Sequence, residues 1–127
     1  MTDDQARAGR GPATEASMRR ALGEAAAHAA LEVPGVAFLR PGIADVLRGA
    51  GRVREVRAGG RPPVGVGVNR GAGGGPWEIH VQIVVRRDHR ALDVARAVET
   101  AVAAAAQATL PGSHRPPGVK VTVAQTI

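Results

Sequence analysis

The chain has 127 residues, enough for one domain with a single core. Cysteine is absent, which excludes disulfide bonds, thiolate metal ligands and a nucleophilic thiol. The formal net charge is +6, and 16 of the 17 basic residues are arginine because Lys120 is the sole lysine. The longest apolar run, Ala101 to Ala106, is far shorter than the roughly twenty residues that span a bilayer. The first residues also lack the pattern of a secretory signal, so we expect a cytoplasmic protein.

Residues 1–15 are predicted to form a disordered tail, followed by a single domain over residues 16–127. A helix is predicted over residues 16–33, with Thr14 or Ser17 as its N-cap. Its apolar positions recur at helical spacing: Leu22, Ala25, Ala26, Ala29 and Val33. Pro34 and Gly35 end this helix, and the apolar run from Val36 to Leu39 predicts a short edge strand or an extended connection.

A basic loop is predicted at about residues 40–63. Residues 33–75 contain seven arginines against Asp45 and Glu55, a balance of +5. A solvated loop, or the arginine preference of a GC-rich genome, explains this excess. The alternative is an anion-binding patch that contacts nucleic acid phosphates or lipid headgroups. Its candidate residues are Arg48, Arg52, Arg54, Arg57 and Arg61.

Two strands joined by a glycine-rich hairpin loop are predicted next. Valines alternate with smaller or polar residues at positions 64, 66 and 68, and the strand from Trp77 to Val85 shows the clearest alternation in the chain. Its odd-numbered residues, Trp77 to Val85, are apolar and are predicted to face the core. Glycines lie between the strands, from Gly71 to Gly75, where they favour a turn.

A second helix is predicted from about His89 to Leu110, capped by Asp88. Its predicted inner stripe is Ala91, Val94, Ala95, Val98, Val102 and Ala105. Pro111 and Gly112 end it, and a last strand follows from Val119 to Val123. A strand, a helix and a strand in this order favour parallel pairing of the two strands. The sequence therefore predicts an α/β two-layer sandwich, in which a small mixed sheet of three to four strands carries two main helices on one face.

Neither a catalytic centre nor a cofactor or metal site is predicted. The four histidines lack the spacing of paired metal ligands. The glycine-rich loop leads into a strand rather than into a helix, so it is interpreted as a hairpin turn and not as a phosphate cradle. Glu78 and His80 share a strand face but are interpreted as surface polar groups, since no nucleophile accompanies them.

The uncovered face of the predicted sheet is the candidate partner surface. It carries polar residues of the two longest strands: Glu78, His80, Gln82, Lys120 and Thr122. Trp77 is predicted to face the helices, so this face lacks the stacking aromatics of sheet-based RNA readers. Contact with a protein is the preferred hypothesis.

The chain resembles the alkaline shock protein family over residues 18–125. The resemblance is carried by the run from Glu32 to Val36, the strand from Ile79 to Val85, and the valines of the second helix and last strand: Val94, Val98, Val102, Val119, Val121 and Val123. The chain differs from the family pattern at Arg87, Asp88 and Leu92.

The resemblance implies a non-enzymatic bacterial protein of the cell envelope stress response and of envelope homeostasis. It implies action through protein contacts, in some members with a partner held at the membrane, and homo-oligomers are a further expectation. The alternative hypothesis is a nucleic-acid-binding module that uses the arginine-rich middle segment.

Overall fold

The fold class predicted from the sequence is confirmed. A computed structural model describes residues 12–41, 65–112 and 115–127. Within these ranges, two helices pack on one face of a four-stranded sheet. The elements in chain order are α1 (Pro12–Leu31), β1 (Val36–Leu39), β2 (Val66–Arg70), β3 (Trp77–Val85), α2 (Ala91–Thr109) and β4 (Gly118–Thr126).

β3 is the central strand of a mixed sheet. β4 pairs with one of its edges in the parallel direction, as predicted, with Ile79 opposite Val119 and Ile83 opposite Val123. β1 and β2 both pair antiparallel with the other edge, β1 beside the C-terminal half of β3 and β2 beside its N-terminal half. Two strands thus lie end to end along one edge.

The basic loop predicted at about residues 40–63 is an insertion between these two end-to-end strands. Arg40 donates its backbone N–H to the carbonyl of Gln82, and Gln82 donates its own N–H to the carbonyl of Gly65. The chain therefore leaves and rejoins the sheet at the same residue of β3. Residues 42–64 themselves lie outside the described ranges.

The core lies between the helices and the odd-numbered residues of β3. Trp77, Ile79, Val81, Ile83 and Val85 are all buried there, as the alternation predicted. Burying an Ile or Val side chain contributes about 1.5–3 kcal/mol, so this row is a main source of stability. Val66 and Val68 of β2 extend the row, and Val119, Val121 and Val123 of β4 pack against it while remaining partly exposed.

The first helix begins earlier than predicted. It starts at Pro12, so residues 12–15 are helical and the predicted tail of residues 1–15 is too long. Proline suits a first helical turn because its missing N–H would have no partner there. Thr14 and Ser17 lie inside the helix, and their predicted role as N-caps is wrong. Residues 1–11 lie outside the described ranges.

The buried stripe of α1 was predicted only in part. Leu22 and Ala26 are buried as expected, but Ala27 and Ala30 complete the stripe, whereas Ala25 and Ala29 are half-exposed. Val33 is buried too, but it lies beyond the end of the helix, which is at Leu31 and not at residue 33 as predicted. From Ala25 to Ala30 every residue except His28 is alanine. Hydrophobic spacing therefore predicts the helix but does not decide which of its sides faces the sheet.

The start of α2 also differs from the prediction. The helix begins at Ala91, and its N-cap is Arg90, whose side chain makes no capping hydrogen bond. Asp88 is not the cap. Its carboxylate lies 3.0 Å from the ring of His89, and this hydrogen bond is the main reason that the pKa of Asp88 is lowered. The buried residues of α2 are Val94, Val98, Val102 and Ala106, so Ala106 takes the place predicted for Ala105.

Candidate functional site: the open face of the sheet

The face of the sheet opposite the helices is called the open face below. Because side chains alternate along a strand and paired residues share a face, the register defines its members. They are Phe38, Gly67, Asn69, Glu78, His80, Gln82, Val84, Lys120, Thr122 and Gln125. All five residues of the predicted partner surface belong to this face, with His80 opposite Lys120 and Gln82 opposite Thr122. None of the described helices or strands packs over it.

His80 makes a side-chain hydrogen bond across the open face. Its Nε2 lies 2.7 Å from the hydroxyl of Thr122 on the neighbouring strand. Partial burial lowers the pKa of His80 below its ordinary value of 6.5, and the positive charge of Lys120 lowers it further. The imidazole is therefore neutral at pH 7 and can serve as both donor and acceptor.

We expect the lowered pKa of His80 to make folding pH-dependent. Below pH 6.5 the unfolded chain binds a proton at this residue while the folded chain resists it, so the free energy of unfolding falls as the pH drops. The loss should end once the pH lies below the folded pKa. Urea unfolding of the wild type and of His80→Gln, measured from about pH 8 to about pH 5 and so on both sides of the ordinary histidine pKa, checks this.

The difference between the two proteins isolates His80, since every other titrating group is common to both. Lys120→Gln is the second comparison: NMR titration of the His80 ring should show a pKa closer to 6.5, because one of the two causes of the shift has been removed. If the free energy of unfolding changed with pH by the same amount in the wild type and in His80→Gln, protonation of His80 would not be coupled to folding.

The other end of the open face carries an exposed aromatic side chain, which the sequence did not indicate. Phe38 is 48% exposed, and its β3 neighbour Val84 is fully buried although it lies on the same face. Gln125 flanks Val84 on the other side, and Arg40 Nη1 donates to the Gln125 side-chain oxygen at 3.2 Å. The open face is thus polar beside Gly118, while its other end combines the exposed ring of Phe38 with the polar side chains of Arg40 and Gln125.

Sequence reasoning missed Phe38 and Gln125 as members of this face, and Arg40 as the residue that donates to Gln125. Their placement depends on the pairing of β1 and β4 with β3, and both pairings contain an irregularity in register, between Val36 and Phe38 and beside Val84. A bulge moves every following side chain to the other face, so simple alternation cannot place them. The one available signal in the sequence was that Phe38 is the sole aromatic residue in the run from Val36 to Leu39.

A shallow groove of about 560 Å³ crosses the polar end of the open face. Its walls come from β2, β3 and the entry into β4, and include Asn69, Glu78, His80, Pro116 and Lys120. The groove offers one carboxylate, one ammonium group, an amide and a neutral imidazole. This mixture offers both hydrogen-bond donors and hydrogen-bond acceptors.

The glycine-rich loop forms the β2–β3 hairpin, as interpreted from the sequence. Gly71 donates its N–H to the Pro76 carbonyl, and Gly75 donates to the Gly71 carbonyl. The guanidinium of Arg70 lies over the ring of Trp77, 5.1 Å from its centre, and Arg70 Nε donates to the Gly75 carbonyl at 3.2 Å. Arginine and tryptophan thus fix the shape of the turn.

The candidate anion-binding patch, Arg48, Arg52, Arg54, Arg57 and Arg61, lies outside the described ranges. It stays a prediction. Among the residues that the structure describes, no three His, Asp or Glu side chains are grouped so that they could hold a metal ion. Neither of the two described helices is both long and apolar enough to cross a membrane.

No protein-family model, curated protein or solved structure matches this chain. The resemblance to the alkaline shock proteins therefore rests on the sequence pattern alone.

Proposed function

We propose that this protein is a non-enzymatic interaction module that binds a protein partner through the open face. The observation that carries the proposal is that one side of the sheet supports the helices and the core, while the other presents polar groups and an exposed phenylalanine. Aromatic residues are enriched at the centre of protein interfaces, and polar groups surround them. Phe38 would be the apolar anchor, and the polar contacts would come from Glu78, His80, Gln82 and Lys120.

The size of the open face favours a transient contact. β3 has nine residues, about 30 Å at roughly 3.3 Å each, and three strand positions lie side by side about 4.8 Å apart. The resulting area of roughly 400 Å² is about half of what each partner contributes to a stable interface of standard size. A single copy should therefore bind its partner weakly and reversibly.

The proposed biological setting follows from the family resemblance. Alkaline shock proteins belong to the envelope stress response, and some are held at the membrane by a partner protein. We infer the same setting here: a cytoplasmic protein that takes part in cell envelope homeostasis, with its partner at the inner side of the membrane.

Site-specific photo-crosslinking in the native cell tests the proposal. A photoreactive residue at Gln82, in the middle of the open face, should give a defined adduct with one protein partner. The matched control is Gln107, an exposed glutamine on α2 on the opposite side of the molecule. Adducts should form at position 82 and not at position 107, and the purified partner should then bind the wild type more tightly than Phe38→Ser.

Two outcomes would contradict the proposal. Equal amounts of adduct at both positions would show that crosslinking reports random collisions and not binding at the open face. Adducts that nuclease removes would favour the nucleic-acid-binding alternative. In that case, binding to mixed-sequence DNA or RNA should weaken steeply with salt and on replacement of Arg52, Arg54 and Arg57.

A further inference from the structure

The outer edge of β4 presents backbone groups that no described strand pairs with. The direction of the β4 backbone groups follows from the hydrogen bonds and the register of β3. Gln82 of β3 directs its N–H and its carbonyl to the β1–β2 edge, so the odd-numbered residues of β3 direct theirs to β4. In a parallel pair with His80 opposite Lys120, residues 118, 120 and 122 of β4 then bond to β3. Val119, Val121 and Val123 direct their N–H and carbonyl groups outward.

This edge lacks most of the features that natural proteins use to prevent edge pairing. β4 has nine residues without proline, and Lys120 is its sole charged side chain. The irregularity in register lies near its end, beyond Val123. Long edges are usually interrupted by prolines, several charges or central bulges. From Gly118 to Val123 the strand is regular and ready to pair.

The burial of the β4 valines also points to a missing neighbour. The core-facing residues of β3 are buried almost completely, but Val119, Val121 and Val123, which continue the same row, are only half-buried. The row of apolar side chains ends abruptly at the edge. A further strand would extend the row and cover them.

We propose that the missing neighbour is β4 of a second copy, paired antiparallel about a twofold axis at Val121. In this register Val121 faces Val121 of the second copy, and Val119 faces Val123. All of these residues have outward N–H and carbonyl groups, so each pair exchanges two hydrogen bonds. On the open face, Lys120 lies opposite Thr122 of the second copy, and the two lysines do not oppose each other.

The strand is self-complementary in this register, which favours a second copy over a foreign strand. β-branched pairs stabilise antiparallel neighbours, and they form here on both sides of the axis. Val121 is the centre of the segment from Val119 to Val123, which is regular throughout, so the pairing ends before the irregularity. The product is a continuous sheet with two open faces side by side, and a bivalent partner would bind it more tightly than a single weak contact allows. The dimer itself does not depend on the proposed partner.

Charge substitutions at Thr122 test both the pairing and its register. Thr122→Lys places like charges opposite each other at two symmetric positions, whereas Thr122→Glu places opposite charges there. Both variants lose the hydrogen bond to His80, so each serves as the control for the other. Light scattering during gel filtration of a dilution series should give a wild-type particle of twice the 13.0 kDa chain mass. The dimer Kd should rise about tenfold in Thr122→Lys and fall in Thr122→Glu.

A second pair of variants tests whether backbone hydrogen bonds of β4 hold the two copies together. Val121→Pro removes an outward N–H at the axis without removing a bond to β3, and should be folded by circular dichroism and monomeric by light scattering. Val121→Ala keeps that N–H and should still dimerise. A wild type that is monomeric throughout the series would overturn the proposal, and so would equal Kd values for Thr122→Lys and Thr122→Glu. Partner crosslinking at Gln82 is unaffected by either result, so the two proposals fail separately.

Discussion

Trp77→Ala should lower the free energy of unfolding by about 4 kcal/mol, a large share of the roughly 5–15 kcal/mol that stabilises a typical domain. Trp77 is 2% exposed and begins the central strand. The guanidinium groups of Arg19 and Arg70 lie 5.7 and 5.1 Å from the centre of its ring. Arg19 belongs to α1 and Arg70 to β2, so the indole joins the helix to the β2–β3 hairpin. An ion pair between Arg70 and Glu15 of α1, at 3.5 Å, strengthens the same connection.

Urea unfolding followed by far-ultraviolet circular dichroism measures this loss, because the substitution removes the chain's only tryptophan. Trp77→Phe is the matched control: it keeps an aromatic ring beneath both arginines and should lose much less. Arg70→Met keeps the apolar stem but removes the cation, at an expected cost of about 1 kcal/mol. A loss below about 1 kcal/mol for Trp77→Ala would contradict the central role of the indole.

The central strand was predictable because its information is local. From Trp77 to Val85, every odd-numbered residue is apolar and a glycine-rich turn precedes the strand, so both its bounds and its inward face follow from the sequence. Parallel pairing with the last strand followed from the intervening helix. The same alternation placed Glu78, His80 and Gln82 on one surface.

The rotation of the helices was not predictable from local information. In α1 the segment from Ala25 to Ala30 contains five alanines and one histidine, so several different stripes are equally apolar. Contact with the sheet selects among them, and it buries Ala27 and Ala30. Hydrophobic periodicity predicts a helix here, while packing against the sheet decides which side is buried.

The position of Phe38 on the open face depends on long-range pairing. Phe38 and Val84 are 46 residues apart in sequence, and they become neighbours because β1 pairs with β3 after an irregularity in register. The outward direction of the β4 valines likewise follows from the order of strands in the sheet. Neither property can be read from a single segment of the chain.

Gly35→Ala should be the second most damaging substitution, with an expected loss of about 3 kcal/mol in the free energy of unfolding. Gly35 links α1 to β1 at a φ of +97°, which alanine adopts with strain. A Cβ at this position would lie 2.7 Å from Cγ2 of Val94 and 2.9 Å from the ring of His89. Val94 belongs to the first turn of α2 and to the core, so it cannot move aside cheaply, while His89 lies in the turn just before the helix.

Gly73→Ala separates the two causes of this loss. Gly73 also has a positive φ, +69°, but an added Cβ would meet nothing within 4 Å. It should therefore show the conformational cost alone, about 1 kcal/mol, and the difference between the two variants measures the packing cost at the α1–β1 connection. Urea unfolding of both variants provides the comparison. Equal losses at the two glycines would mean that α2 moves aside for the added methyl group, and that the close approach of Gly35 to Val94 does not fix the position of the second helix.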